Sequence, residues 1–146
     1  MSTASISTDR TAWALLFACW LVAVVSTLGS LFFSEVMGLP PCILCWYQRI
    51  FMFPLAVILT MALFPFDLGI FKYSLALAIG GASVALYHCL LFAGFIPESV
   101  QPCIQGVSCA DAASQQIGGI PIPVMSLLAF TVLITFLIAA RKRISK

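Results

Sequence analysis

Residues 120–140 read IPIPVMSLLAFTVLITFLIAA, a run without a single charged side chain. A helix that rises about 1.5 Å per residue needs about 20 mostly apolar residues to cross a hydrocarbon core of about 30 Å. The run also lacks the alternation of apolar and polar residues that a transmembrane β-strand would show. It therefore predicts a membrane-spanning helix.

Three further stretches have the same length and character, at about residues 11–33, 43–64 and 70–92. Of the 146 residues, 62% are hydrophobic and 8% are charged, whereas ordinary soluble domains are roughly a quarter charged. In water such a chain would expose large apolar patches. We therefore predict an all-α polytopic membrane protein, in which residues 1–146 form one four-transmembrane-helix bundle. The first stretch is too long for the core of a cleaved signal peptide, so we expect it to be retained.

The basic residues predict the orientation of this bundle, because Lys and Arg near span ends stay on the cytoplasmic side. Six of the seven Lys and Arg residues flank the spans on one side: Arg10, Lys72, Arg141, Lys142, Arg143 and Lys146. Both termini are then cytoplasmic, and two loops face outward, at residues 34–42 and 93–119. The net charge of +2 is small and scattered, which excludes a nucleic-acid partner.

Four of the six cysteines fall on the predicted outer side, in two pairs. Cys42 and Cys45 form a C-x-x-C motif where the first outer loop meets the second span, and Cys103 and Cys109 lie in the longer loop. In an oxidising compartment each pair can close a disulfide. A bridge that closes a short loop in a mobile, exposed segment is open to thiolate attack, which favours exchange over a structural role.

Two alternatives without a redox role remain for these cysteines. Both bridges could be structural, and the four cysteines together offer the ligand types of a zinc site. The C-x5-C spacing of the second pair is wider than the usual zinc spacing, and an oxidising outer face works against the retention of thiolates. We therefore expect no metal.

The segment from Pro41 to Arg49 favours reactive thiols. Proline suits the first turn of a helix, so Pro41 predicts that the second span begins there, with Cys42 and Cys45 at its N-terminus. Backbone N–H groups and the helix dipole at that end favour the thiolate.

Arg49 lies on the same helix face about 6 Å deeper than Cys45. A charge inside a span is a functional candidate, and we expect Arg49 to pair with a thiolate or with the carbonyl oxygen of a lipid-soluble electron acceptor. Snorkelling to the interface is the alternative.

Two other residues carry weaker signals. His88 lies near the outer end of the third span, where it could move a proton during electron transfer or simply pack as a hydrogen-bonded core residue. Cys19, inside the first span, is expected to be an inert core thiol.

Three motifs together resemble one known family. They are P-C-I-L-C-W-Y-Q-R at 41–49, P-C-I-Q-G-V-S-C at 102–109 and I-P-V-M-S-L-L-A-F at 122–130. They look like the DsbB family of quinone-linked thiol oxidases, in its short BdbC-like branch, and the similarity runs through all four spans.

The resemblance implies a protein-disulfide:quinone oxidoreductase in the bacterial cytoplasmic membrane, with its redox loops facing outward. A DsbA-like thioredoxin-fold partner would attack a Cys103–Cys109 disulfide at Cys103. The resulting dithiol would reduce a Cys42–Cys45 disulfide through a transient bond between Cys109 and Cys42. Cys45, as thiolate, would pass the electrons to ubiquinone or menaquinone, whose oxygen Arg49 would hold. His88 is a weaker candidate for contact with the quinone.

The chain departs from the longer DsbB proteins at two points. Its second cysteine pair is much closer in sequence, and Gln48 stands where those proteins have an acidic residue before the arginine. Which loop cysteine meets the partner therefore stays open. The alternative functions are a thiol electron carrier with a non-quinone acceptor and a structural, disulfide-stapled four-span protein.

Overall fold

The architecture is a bundle of four long helices, seen in a computed structural model. The structure describes residues 3–64, 69–96, 109, 116–117 and 119–144. The helices are α1 (Thr3–Leu31), α2 (Ile43–Leu63), α3 (Phe71–Phe92) and α4 (Ile122–Ile144). Each contains a segment long and apolar enough to cross a membrane, which confirms the predicted four-span helical fold. The cytoplasmic position of the termini and the treatment of the chain as a single domain stay predictions.

The helices form a closed ring of contacts, in which α1 packs on α2 and α4, and α3 packs on α2 and α4. Cys19 of α1 is fully buried in the resulting core, and its Sγ lies 3.9 Å from the carbonyl oxygen of Leu133 in α4. Its predicted place in the core is therefore confirmed. A hydrogen bond also joins α1 to α2, in which Trp20 Nε1 donates to Thr60 Oγ1 at 2.8 Å.

Helix α1 extends into a π-helical segment, Phe32–Val36. The N–H of Met37 donates to the carbonyl of Phe32 at 3.1 Å, which closes the wide turn. Gly38 then adopts a φ of 66°, a left-handed conformation that glycine takes without steric cost. This turn ends the first span and leads the chain into the start of α2.

The segment before α4 differs from the prediction. Ile120 and Pro121, expected inside the fourth span, instead form a short strand β2 (Ile120–Pro121) that pairs antiparallel with β1 (Gln116–Ile117). Gly119 turns the chain between them with a φ of 83°. Helix α4 therefore begins two residues later than predicted. Pro123 suits its first turn because a first-turn N–H has no partner in the helix.

Gly81 allows the close approach of α3 and α4. A Cβ at this position would overlap the ring of Phe130, a fully buried residue of α4. We expect Gly81→Ala to lower the free energy of unfolding by about 1–3 kcal/mol, the usual cost of overpacking, and to lower the melting temperature in detergent. The matched control is Gly29→Ala in α1, because a Cβ there would meet nothing within 4 Å. Equal melting temperatures for the two variants would contradict this account of the packing.

Candidate redox site

The C-x-x-C motif lies at the start of α2, where Cys42 is the N-cap residue. Its backbone is extended (φ −68°, ψ 168°), and its Sγ accepts a hydrogen bond from the N–H of Cys45 at 3.4 Å. The sulfur thus takes the role that a serine or aspartate oxygen has at other helix starts. Pro41 precedes the cap, and the helix begins at Ile43, the predicted first residue of the second span. The prediction that both cysteines lie at the helix N-terminus is correct.

The two sulfurs of the motif are in contact. Cys42 Sγ lies 3.0 Å from Cys45 Sγ, so the predicted Cys42–Cys45 disulfide is open and the pair is present as a dithiol. The predicted pairing of the two residues is compatible with this geometry, since oxidation would need only small rotations of adjacent side chains. The structure therefore represents the reduced form of this pair.

His88 of α3 lies against Cys42. Its side chain is fully buried, and its Nε2 is 3.8 Å from Cys42 Sγ and 3.3 Å from the carbonyl oxygen of Cys109. Its Nδ1 is 3.1 Å from Nε2 of Gln48, a buried residue of α2. Both ring nitrogens thus have polar neighbours, and one of these neighbours is Cys42 of the C-x-x-C motif.

Electrostatics at this point favour a thiolate on Cys42. The hydrogen bond from the Cys45 thiol lowers the pKa of Cys42 well below its usual value, and this outweighs the opposing effect of burial. The contact with His88 and the bond from the Cys45 N–H act in the same direction. These contacts favour Cys42 as the anionic member of the reduced pair.

Arg49 crosses to the neighbouring helix. Its Nη2 donates to the carbonyl oxygen of Ser30 in α1 at 2.7 Å, and its guanidinium carbon lies 5.2 Å from the ring centroid of Trp46. The half-buried guanidinium is thus held by the backbone of α1. Its expected pairing with a thiolate or with the carbonyl oxygen of an electron acceptor stays a prediction.

A cavity of about 390 Å³ lies between α1, α2 and α4. Cys45, Gln48, Arg49 and Ser30 line it together with mostly apolar side chains, among them Val25, Phe33, Met52, Phe53, Met125 and Phe130. An apolar cavity of this size with a few polar groups is the usual form of a small-molecule site. His88 is not part of its described lining. The structure places His88 beside Cys42, and its predicted contact with a quinone stays a prediction.

Cys109 packs on the other side of the motif. It is disulfide-bonded and fully buried, in a cluster with Cys42, Leu44 and Leu91. The expectation of an exposed cysteine is therefore wrong for Cys109, because it packs against residues at the start of α2 and the end of α3. Cys103, its expected partner, lies outside the residues that the structure describes.

Comparison with known proteins identifies the family. The model of the family described as Disulfide bond formation protein DsbB matches residues 9–140. The chain belongs to the DsbB family. A DsbB-family protein of this kind is a multi-pass membrane thiol-disulfide oxidoreductase, in agreement with the four spans and the paired cysteines.

Three relatives show how far this similarity extends. The chain is 48% identical over 132 residues to a probable disulfide formation protein of Metapseudomonas resinovorans, with 90% of this chain and 92% of the relative covered. It is 44% identical over 124 residues to disulfide bond formation protein C of Bacillus subtilis, with 84% and 88% covered. It is 40% identical over 139 residues to a probable disulfide formation protein of Deinococcus radiodurans, with 89% and 90% covered. No solved structure matches the chain.

The structure adds two residues to the site that sequence reasoning did not place there. Gln48 stood out in the sequence only as a departure from the DsbB family, and its contact with His88 depends on the packing of α2 on α3. From the sequence alone, Ser30 is a small residue that would let two helices pack closely. In the structure its Oγ is buried at the cavity and finds no hydrogen-bond partner among the described residues.

The same cluster contains the donor types of a soft-metal site. Sulfur and nitrogen atoms of Cys42, Cys45 and His88 all lie within 4.8 Å of one another. The expected opening and closing of a Cys42–Cys45 disulfide gives these sulfurs a role without a metal. The expectation of no metal stays a prediction.

Proposed function

We propose that this DsbB-family protein oxidises an extracytoplasmic thioredoxin-fold dithiol and passes the electrons to a membrane quinone. The observation that carries the proposal is the burial of disulfide-bonded Cys109 in one cluster with Cys42. This cluster joins the predicted outer pair to a dithiol that borders an apolar cavity. Disulfide exchange can therefore run from the loop to the membrane.

The first step is attack by the partner's thiolate on the outer disulfide. Cys109 is fully buried, and exchange requires that the attacking sulfur reach the disulfide along its axis. We therefore assign the attack to Cys103, the other cysteine of the loop. The partner sulfur bonds to Cys103, Cys109 leaves as a thiolate, and the second partner thiol then resolves the mixed disulfide. The partner leaves oxidised, and the loop pair is left as a dithiol.

The second step moves the electron pair inward. Cys109 attacks Cys42 of the closed Cys42–Cys45 disulfide, and Cys45 leaves and takes a proton. Cys103 then attacks Cys109, so that the loop disulfide re-forms and Cys42 leaves as a thiolate. Because exchange is faster when the leaving thiol has a low pKa, the hydrogen bonds that stabilise a Cys42 thiolate favour this direction.

The cavity residues fit a quinone. The Arg49 guanidinium and the orphaned Ser30 hydroxyl supply donors at the polar end, next to Cys45, and the rest of the lining is mostly apolar. A quinone, when bound, supplies an acceptor of two electrons and two protons. Cys45 gives up its thiol proton, and the Cys42 sulfur 3.0 Å away closes the disulfide as the electron pair leaves. Solvent supplies the second proton.

The direct test mixes the purified, detergent-solubilised protein with a reduced thioredoxin-fold dithiol and a soluble quinone analogue. We expect quinone absorbance to fall by one equivalent for each equivalent of partner oxidised. Cys89→Ser is the matched control, because this half-buried thiol of α3 takes no part in the relay. Absence of quinone loss from protein with all four relay cysteines present would contradict the proposal and would point to another acceptor.

Arg49→Leu should weaken quinone use. A donor to a group that gains negative charge contributes about 1.5–3 kcal/mol, so kcat/KM for the quinone should fall roughly 10- to 100-fold. Arg49→Lys keeps the charge but loses the fork of donors, and we expect it to retain part of the activity. Parental quinone kinetics for Arg49→Leu, measured with excess partner dithiol, would assign Arg49 to helix packing on Ser30 alone.

The site also has an expected place in the cell. The proposed relay needs the C-x-x-C end of the bundle on the oxidising, outer side of the bacterial cytoplasmic membrane. Labelling of intact cells with a membrane-impermeant maleimide, after reduction, is expected to modify Cys103. Modification only after the membrane is opened would reverse the predicted topology.

A further inference from the structure

The contacts of His88 join the two cysteine pairs through one buried ring. Nε2 approaches both Cys42 Sγ, at 3.8 Å, and the carbonyl oxygen of Cys109, at 3.3 Å. On the opposite edge of the ring, Nδ1 is 3.1 Å from the side-chain amide nitrogen of Gln48. Gln48 and His88 come from different helices, and both are buried.

The chemistry of these neighbours decides where the ring carries its proton. A neutral imidazole has one N–H donor and one acceptor nitrogen. The Gln48 amide nitrogen can only donate, so Nδ1 must accept. The Cys109 carbonyl can only accept, so Nε2 must carry the hydrogen. Two independent contacts on opposite sides of His88 therefore favour the same tautomer, and each contributes to that preference.

We propose that Gln48 is a positioning residue that fixes the proton of His88 on Nε2. His88 then holds the Cys109 backbone against the C-x-x-C motif and offers a hydrogen bond to the Cys42 sulfur. The inference deepens the proposed function and rests on it, because it identifies the His88 contacts that keep the two cysteine pairs within exchange distance.

The amide at position 48 determines which nitrogen of a neutral His88 ring carries the proton. An acidic side chain could only accept from Nδ1, so Nε2 would carry a hydrogen only when the ring held two protons. The glutamine provides the Nε2–H from a neutral ring. The other titratable or charged groups near Cys42 are Cys45 and Arg49 on α2 and Tyr87 on α3, whereas disulfide-bonded Cys109 does not titrate.

The tautomer can be measured directly, because His88 is the only histidine of the chain. ¹⁵N spectra of the detergent-solubilised protein, labelled at histidine, distinguish a protonated ring nitrogen from an unprotonated one. We expect a protonated Nε2 and an unprotonated Nδ1. In Gln48→Met, which keeps the length but removes both amide groups, we expect a mixture of the two tautomers. A protonated Nδ1 in the parent, or an unchanged spectrum in Gln48→Met, would overturn the proposal.

The consequence for Cys42 can be measured as a pH profile of alkylation by iodoacetamide. Mass mapping of Cys42 in a Cys45→Ser background avoids competition from the neighbouring thiol. Loss of a hydrogen bond to a thiolate should move the midpoint upward by about one pH unit in Gln48→Met. Leu44→Met, a volume-conserving change in the same cluster, is the control and should leave the midpoint in place. A shift of equal size in both variants would assign the effect to packing.

These two measurements use neither partner nor quinone. They can therefore succeed even if the electron acceptor proves to be a different molecule. If instead the quinone assay succeeds while the ring carries its proton on Nδ1, the proposed function stands and the role of Gln48 falls.

Discussion

Cys45→Ser is expected to abolish quinone reduction while the protein still inserts and folds. Cys45 lines the cavity, whereas Cys42 does not belong to its described lining. Without the Cys45 sulfur the inner pair can neither accept the electron pair from the loop nor close a disulfide as it leaves. The loss should therefore be complete, with turnover at the rate of the uncatalysed mixture.

Serine is a mild replacement at this position. Its hydroxyl can still donate toward Cys42, and its backbone N–H still bonds the Cys42 sulfur at the helix start. We therefore expect the melting temperature in detergent to stay near that of the parent, as it should in the Cys89→Ser control. A purely structural role for the pair predicts the opposite pattern, with lower stability and unchanged redox behaviour.

The sequence was sufficient for the four helices, because each span needs only an uninterrupted apolar run of the right length. It was also sufficient for the helix start at the C-x-x-C motif. The small error at Ile120 falls just before the fourth helix, where strand pairing with Ile117 decides the boundary.

The contacts between helices could not be predicted. Cys109 read as exposed because its loop contains turn-forming and polar residues, but tertiary packing buries it against Cys42. The partners of His88 depend on the relative rotation of α2 and α3, which one sequence does not specify. For the same reason the hydrogen bond from Arg49 to the Ser30 carbonyl of α1 could not be predicted.

Cys109→Ser separates the two halves of the relay. We expect this variant to lose quinone reduction driven by the thioredoxin-fold dithiol, because Cys109 is buried in one cluster with Cys42. Dithiothreitol is small enough to attack the Cys42–Cys45 disulfide directly. Quinone reduction driven by dithiothreitol should therefore survive in Cys109→Ser and fail in Cys45→Ser.

The two reductants together locate the defect of any variant. A variant damaged at the cavity fails with both, whereas a variant damaged at the loop fails only with the protein partner. Loss of both activities in Cys109→Ser would mean that buried Cys109 stabilises the C-x-x-C site by packing. Full activity with the partner would mean that the partner reduces the C-x-x-C pair directly, and the contact between Cys109 and Cys42 would then be packing, not a route for electrons.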